Sequence, residues 1–539
     1  MGDTNTKSFQ NTIAMSEKKT IDYSSVRRVV FFYFIDTLLV LFSFLIFIWI
    51  KPASLRIYLP HYLQPFLIFL GVWLAASIPS HKYSYKGKNS LSDFLNPVLI
   101  SALITLFVLS VMIVGYNRFQ YSRLIVFGTI GLSVFLEIIL FSLFYYYRKL
   151  NRNSEKDDTI LAYLNQMETL AESAESMQLP EPENIEHYPV FTLLNYKEQI
   201  KEETSDEAYD FICTHVDESR NRTLVLSTTT KFNVDAVPSD VANVVVNLRI
   251  INDIKRINKF FESVNHKLPV GGLFIDCVVT NEIKKERILR LYPWGINRIF
   301  YFFYFIFKRI SPKMPVIKKF YFFLTNGYDR AISKAEAFGR LYSCGFEVVS
   351  HHLSNDVLYF VARKIAAPVF DMNPTYGPLI SLKRMGKNGK TIHVYKFRTM
   401  HPYSEYIQEY VFTKNKLQDG GKFKNDFRIS TAGRIMRKLW IDEFPMIINL
   451  VRGDLKLVGV RPLSFHYFNL YTKELQERRS KHRPGLIPPF YADMPETLEE
   501  IMASEMRYLD AHEKNPFLTD IRYFRKAMYN ILIKRKRSG

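Results

Sequence analysis

The chain has only three cysteines among its 539 residues, Cys213, Cys277 and Cys344. None forms a C-x-x-C pair, which speaks against a zinc site or a disulfide frame and for buried thiols in a reducing compartment. Glycine is missing between Gly131 and Gly271. A Rossmann cofactor site needs glycines at its first strand–helix turn, so that backbone can approach the ligand; this stretch lacks them. Charge is nearly absent from four apolar runs near 29–50, 62–79, 94–115 and 122–147. Each is about the twenty residues needed to cross a hydrocarbon core, and core helices of a soluble protein would carry a charged face. Glu137 in the fourth run is an exception, and an acid at that depth is expected to face another helix. A cleavable leader is not expected, because the first run, starting near Arg28, is too long for one.

What is abundant is positive charge. The net +20 points to an anionic partner: lipid, a phosphorylated substrate or nucleic acid. Four spans argue against nucleic acid. Lys18, Lys19, Arg27 and Arg28 precede the first run, His81, Lys82, Lys86 and Lys88 follow the second, and Arg148, Lys149 and Arg152 follow the fourth. The positive-inside rule then puts both termini, and nearly 400 residues after the last span, in the cytoplasm.

Composition divides the chain further. Residues 1–28 are polar and read as disordered. The four-helix membrane domain covers 29–150. An acidic linker, 151–190, ends in Pro180-Glu-Pro182 and, with a helical part expected over Leu161 to Met177, reads mainly as a tether. Residues 191–365 alternate buried strands (Thr223–Ser227, Val244–Leu248, Leu273–Asp276) with helical stretches. They close on a hairpin around Ser354-Asn-Asp356, which implies a Rossmann-like α/β domain without a glycine-rich loop. Its order resembles the second half of a class I methyltransferase fold. Within it, near 297–325, lie Ile299–Phe307 and Lys319–Leu324, solidly apolar around a Lys308-Arg309-Ile-Ser311-Pro312 break. The first arm would be about 14 Å as a helix, too short to span. A re-entrant dip, an interfacial lie and a buried aromatic pair all fit.

Residues 366–539 hold the densest chemistry. Gly377-Pro378 is a turn, Gly386-Lys-Asn-Gly389-Lys390 a hairpin turn, and Thr391–Met400 alternates like a strand carrying Lys396 and Arg398. Asp426-Phe-Arg428 and Gly433-Arg434-Ile-Met-Arg437 follow, then Trp440-Ile-Asp442-Glu443-Phe-Pro445, then Asn449-Leu-Val-Arg452-Gly453-Asp454 and Gly459-Val-Arg461-Pro462. An acidic pair beside basic residues is commonly a helix cap. Guanidinium and ammonium groups repeated on both sides instead match phosphoryl chemistry: a nucleophile, a carboxylate for Mg²⁺, and cations for phosphate charge.

The ordered string Gly-Pro, Gly-Lys, Tyr-Lys-Phe-Arg-Thr-Met, Asp-x-Arg, Gly-Arg-x-x-Arg, Asp-Glu-x-Pro, Gly-Asp-x-x-Leu-Val-Gly-x-Arg-Pro and Pro-Gly-Leu resembles the bacterial sugar transferases, in their long form, the monotopic polyprenyl-phosphate glycosyl-1-phosphate transferases. It spans about 374–490, with an echo at Asp520-Ile521. The resemblance implies an α+β sugar transferase catalytic domain and a fold of three parts: membrane helices, α/β domain, catalytic domain. It implies Asp442 as the nucleophile, Glu443 as the Mg²⁺ ligand, and Lys396, Arg398, Arg428, Arg434 and Arg461 as phosphate or nucleotide contacts, Arg461 first among them. The implied substrates are a UDP-sugar and undecaprenyl phosphate, the place a bacterial inner membrane, and the product a phosphosugar lipid that starts exopolysaccharide, capsule or glycoconjugate synthesis. Met446, Val460 and Ile487–Asp493 depart from the family pattern. Self-association is left open. The competing readings are a membrane scaffold with an inactive transferase domain, and a methyltransferase acting through residues 190–365.

Overall fold

The computed structural model describes residues 23–50, 55–84, 88–115, 122–152, 156–174, 191–218, 222–314, 317–370, 376–415, 417–418, 422–423 and 426–533. The stretch 1–22, read as disordered, and the Pro180–Pro182 end of the linker lie outside the described residues. The chain divides into two units, Met1–Tyr145 and Tyr146–Gly539.

The first unit is built from α1 (Tyr23–Ile50), α2 (Leu55–Ala76), α3 (Leu91–Gly115) and α4 (Arg123–Arg152), whose residues from Tyr146 onward belong to the second unit. All four are long and apolar enough to cross a membrane. Helix α1 starts at Tyr23, so 23–28 are helical rather than disordered. The exterior of the four helices is apolar: Phe42, Leu67, Leu103 and Phe107 are exposed. Inside, Phe44 stacks on Phe66 at 4.1 Å and Trp73 is fully buried. An apolar outer surface around a packed interior suits hydrocarbon as solvent.

The second unit opens on α5 (Lys156–Ala174). A helix was expected in this part of the acidic linker; it is docked rather than acting as a tether. Tyr163, Met167 and Leu170 recur at helical spacing, and Met167 packs on Ile365 and Ala366. The sheet beyond it comprises β1 (Thr223–Leu226), β2 (Val244–Asn247), β3 (Leu273–Val278), β4 (Phe346–Ser354) and β5 (Val357–Lys364), in the order β1-β2-β3-β5-β4. The first three strands are parallel, whereas β5 runs antiparallel to both β3 and β4. Strands β2 and β3 are buried along their whole length, with apolar clusters on both faces, as expected of unbroken Val, Ile and Phe runs. One of those clusters also takes Ile407, Tyr410 and Val411. Residues beyond 366 therefore complete the core of the sheet before them.

The aromatic segment forms α6 (Ile296–Tyr304), a wider turn at Phe305–Ile310, a tight turn at Ser311–Lys313 and α7 (Lys318–Thr325). It packs one face inward along its length, through Asn297, Arg309, Ser311 and Tyr321. Ile299, Phe303, Phe320 and Phe323 face outward and are exposed, so this is not a buried aromatic pair. Helix α8 (Lys334–Ser343) follows.

The C-terminal part contains the antiparallel hairpin β6 (Leu379–Met385) and β7 (Thr391–Phe397), α9 (Thr431–Lys438), a tight 3-10 turn (Ile441–Met446) and α10 (Ile447–Arg452). The parallel pair β8 (Lys456–Val458) and β9 (Gly485–Ile487), with α11 (Leu498–Lys514) and α12 (Pro516–Leu532), closes its own core around Tyr508 and Leu509.

Candidate active site

The acidic pair is held by three pieces of local structure. The first is the seat of α9. Its N-cap, Ser430, accepts from Gly433 N–H at 2.9 Å, and Ser430 N–H donates to Thr399 O at 3.0 Å. A Cβ at Gly433 would lie 1.9 Å from Thr399 O, so only glycine lets the helix sit this close to the end of the β7 strand. Arg437 Nε donates to Thr399 Oγ1 at 3.0 Å one turn later.

The second piece is Trp440, whose φ of 62° reverses the chain between α9 and the 3-10 turn. A bulky residue in the left-handed region is uncommon and needs outside support. Tyr491 supplies it, edge to face at 4.6 Å. The third piece is Asn449, fully buried on α10. Its Nδ2 donates to His393 O at 2.6 Å and to Asp454 Oδ2 at 3.2 Å, and its Oδ1 accepts from Tyr395 N–H at 3.0 Å. One amide thus occupies the free edge of β7 as a neighbouring strand would. Gly453, at φ 76°, then ends α10.

These supports bring Lys396, Asp442 and Glu443 together. Lys396 Nζ pairs with Glu443 Oε1 at 2.7 Å. Asp442 is 9% exposed, and burial together with the neighbouring Glu443 pushes its carboxyl above the usual range, against the pull of Lys396 and Arg437. Among the described residues no salt bridge forms to Asp442, and no cluster of three or more metal-ligating side chains exists. Two adjacent carboxylates, one paired with Lys396 and the other unpaired, are what the turn presents.

The remaining sequence-derived cations take different places. Arg398 leaves the strand and donates from Nε to Gly377 O at 3.1 Å, with Glu405 4.0 Å from its Nη1. Arg428 is buried, and its fork is bonded to Asp426 at 2.9 and 2.8 Å. Arg434 is exposed on α9, close enough to His401 to help push that half-buried imidazole down to about 3, after desolvation itself and Arg309. Arg461 is exposed with its guanidinium 5.8 Å from the Phe490 ring; Phe490 contacts Tyr491, which supports Trp440.

An apolar surface surrounds the pair. Ile435, Leu439, Ile441, Phe444, Ile447 and Val451 are all exposed, Phe444 to 67% directly beside Glu443.

Residues 350–534 match the family model described as bacterial sugar transferase. That stretch is similar to the bacterial sugar transferases. The sugar transferase EpsL of Bacillus subtilis, described as uncharacterized, is 38% identical over 126 residues, 23% of this chain and 52% of that protein. The galactosyl transferase CpsE of Streptococcus agalactiae is 38% identical over 113 residues, 20% of this chain and 25% of its own. A UDP-N-acetylgalactosamine-undecaprenyl-phosphate N-acetylgalactosaminephosphotransferase of Aeromonas hydrophila is 33% identical over 115 residues, 20% of this chain and 24% of its own. The chain thus spans about half the length of the first relative and about a quarter of the other two.

Several residues of the sugar transferase segment were visible in sequence only as spacing. Asn449 stood four before Gly453-Asp454, but nothing in the string said that it bonds β7. Arg437 was one of a basic run. Further off, Glu336 on α8 takes hydrogen bonds from Lys313 Nζ at 2.5 Å, Arg340 Nη2 at 2.9 Å and Arg309. Arg309 Nη2 also meets His401 Nδ1 at 3.1 Å, and Arg340 Nη2 donates to Tyr376 OH at 2.6 Å. Burial opposes the charge on Glu336, but Lys313, Arg309 and Arg340 hold its carboxyl well below the usual range. This hub ties the outward-facing aromatic segment to both ends of the Gly-Pro to Tyr-Lys-Phe-Arg stretch. Its members come from four separate parts of the chain, so no local pattern announces it.

Proposed function

We propose that this protein is a polyprenyl-phosphate sugar-1-phosphate transferase, acting on a UDP-sugar and undecaprenyl phosphate. The observation that carries the reading is Asp442: a half-isolated carboxylate beside Glu443, within reach of Lys396 and Arg437, set in an exposed apolar surface. In the proposed reaction an Asp442 oxygen attacks the sugar-bearing phosphorus. A new P–O bond forms to the carboxylate, the bond to the nucleotide oxygen breaks, and UMP leaves. The lipid phosphate oxygen then attacks the same phosphorus, returning the Asp442 carboxylate and giving the sugar diphospholipid.

Each neighbouring side chain has work in this scheme. Burial and Glu443 raise the basicity of Asp442, which strengthens it as a nucleophile. Lys396 holds Glu443 in place and offsets charge as UMP departs. Arg437, Arg434 and Arg461 are the cations nearest to, or linked by packing with, the Trp440 turn, and are assigned to phosphate and nucleotide. Arg398 orders the Gly377-Pro378 turn, and Arg428, engaged by Asp426, is assigned to holding the loop before α9. Glu443, with Asp442 beside it, fits Mg²⁺, which needs few protein carboxylates when substrate phosphates supply the other oxygens. When bound, that ion would neutralise diphosphate charge.

The place of action is read as the cytoplasmic face of the inner membrane of a bacterium. The exposed faces of 296–325 and of 435–451, with Phe517, Leu518 and Ile521 on α12, suit an interfacial lie. The sheet β1–β5 is read as a Rossmann-like half that serves as a scaffold; its three parallel strands support this, and the missing glycine turn sets aside methyl transfer. The initiating step of exopolysaccharide or capsule synthesis is the setting assigned. The test is purified protein with a panel of UDP-sugars and undecaprenyl phosphate, reading UMP. Turnover with at least one sugar, abolished by Asp442→Asn, is expected; turnover retained in that variant overturns the nucleophile.

A further inference from the structure

The membrane helices carry buried charge that anchoring does not require. Asp36 on α1, Glu137 on α4 and Lys82, in the turn after α2, are each at most 2% exposed. Lys82 Nζ lies 2.7 Å from Asp36 Oδ2 and 2.5 Å from Glu137 Oε1. The Trp73 indole N–H on α2 reaches the same two acids, at 3.2 and 3.1 Å. One ammonium and one indole therefore bridge both carboxyl groups, which places the acids within a few ångströms of each other. The Tyr83 hydroxyl donates to Asp36, and the Ser77 hydroxyl donates to Tyr33 OH at 3.0 Å.

The charge count does not balance. Two acids face one cation, and among the described residues no second cation pairs with either acid. The titratable groups around the pair are Lys82 and Tyr83 from the turn and Tyr33 from α1; α2 offers the Trp73 indole. An unpaired charge at this depth is costly, and two neighbouring carboxyls relieve it by sharing a proton.

A second observation points to water at the same place. Ser133 and Thr129 precede Glu137 by one and two helical turns, so all three share a face of α4. All are buried; the Ser133 and Thr129 hydroxyls and Glu137 Oε2 have no hydrogen-bond partner, nor does Ser101 Oγ on α3. Helical side chains lean toward the N-terminus, which carries the Glu137 carboxyl over the Ser133 turn. Buried polar atoms left open in this way are commonly completed by ordered water.

We propose that the membrane bundle is a proton-binding site: Asp36 and Glu137 hold one exchangeable proton between them, next to water bound on Ser133 and Thr129. Loss of the proton to water leaves two carboxylates against Lys82, with one negative charge uncompensated. The site does not depend on the transferase chemistry proposed above.

The test is infrared spectroscopy of the full chain in phosphatidylcholine–phosphatidylglycerol nanodiscs, in H₂O and D₂O, across acid to alkaline pH. The wild type should show a protonated carboxyl band that bleaches as pH rises. Asp36→Asn and Glu137→Gln should each remove it, because one acid against one ammonium needs no proton. Lys82→Met should instead enlarge it about twofold. A carboxyl band from a buried acid elsewhere, such as Asp276 of the β-sheet, whose burial pushes its carboxyl upward, is one that none of these variants moves. A band surviving in both acid variants, or no bundle-dependent band, overturns the proposal. If the variants do not fold, the wild type decides alone: dicyclohexylcarbodiimide, which attacks protonated carboxyls in apolar surroundings, should label Asp36 or Glu137, less at alkaline pH. No adduct on either residue at any pH contradicts the site.

Discussion

Replacing Asn449 by alanine should open the edge of β7 and slow the proposed transfer without touching a reacting group. The amide makes three hydrogen bonds from a fully buried position, two of them to the backbone of β7 at His393 and Tyr395. Each is worth about 1 kcal/mol net, and truncation also leaves a buried carbonyl and N–H unsatisfied, so the cost is about 3 kcal/mol. That corresponds to roughly a hundredfold fall in protection of the Tyr395 amide against hydrogen exchange. Lys396 is the next residue, so its pairing with Glu443 loosens, and UMP release should drop at least tenfold with little change in KM for the UDP-sugar. Asn449→Asp should do no better, since it keeps an acceptor for Tyr395 N–H but loses the donor to His393 and sets a second charge beside Asp454. Exchange mass spectrometry over 391–398, with UMP kinetics, checks both numbers. Unchanged protection at Tyr395 and unchanged turnover would refute the claim that this amide positions the site.

Other perturbations follow from the same geometry. Lys396 pulls the Asp442 carboxyl down and Glu443 pushes it up; Lys396→Met should therefore move the acid limb of the pH–kcat/KM profile to higher pH, and Glu443→Gln should move it lower, provided residual activity is measured. The linked stability has a definite sign. A raised folded-state pKa at Asp442 means the native state binds more protons, so ionisation of this group destabilises the fold as pH rises through that range, and Asp442→Asn should flatten that limb of a thermal-melt profile against pH. Gly433→Ala places a methyl 1.9 Å from Thr399 O, and should cost about 1–3 kcal/mol by overpacking, read as a lowered melting temperature with loss of UMP release. Phe444→Ser should raise KM for polyprenyl phosphate while leaving KM for the UDP-sugar near its wild-type value.

Much of the membrane unit was legible in the sequence, because hydrocarbon demands long runs without charge: the first expected span, 29–50, coincides with the apolar part of α1. The hairpins at 346–364 and 379–397 were legible for a similar reason, alternation broken by Asn, Asp and Gly turns. The aromatic segment was not. Every residue of Ile299–Phe307 is apolar, so composition could not say that one face would pack through Arg309 and Tyr321 while the other stayed exposed. The helix in the linker was legible over 161–177, but its docking was not, because three apolar contacts were diluted by acids. Lys82 read as a loop cation on the strength of its neighbours, and only the fold shows it inside the bundle with Asp36 and Glu137. Among the cations near the acidic pair, sequence spacing could not separate Arg428, whose fork is filled by Asp426, from Arg434 and Arg461, whose guanidiniums stand exposed.

Every role assigned around the Trp440 turn depends on Asp442 acting as a covalent nucleophile. The direct measurement is a single-turnover experiment with a UDP-sugar labelled in the sugar and no polyprenyl phosphate, quenched and read by peptide mass spectrometry beside UMP release. A burst of one UMP per active chain, with the labelled phosphosugar on the peptide bearing Asp442 and chased off by added undecaprenyl phosphate, is the predicted result. UMP appearing only when the lipid is present, with no label on that peptide, would contradict it.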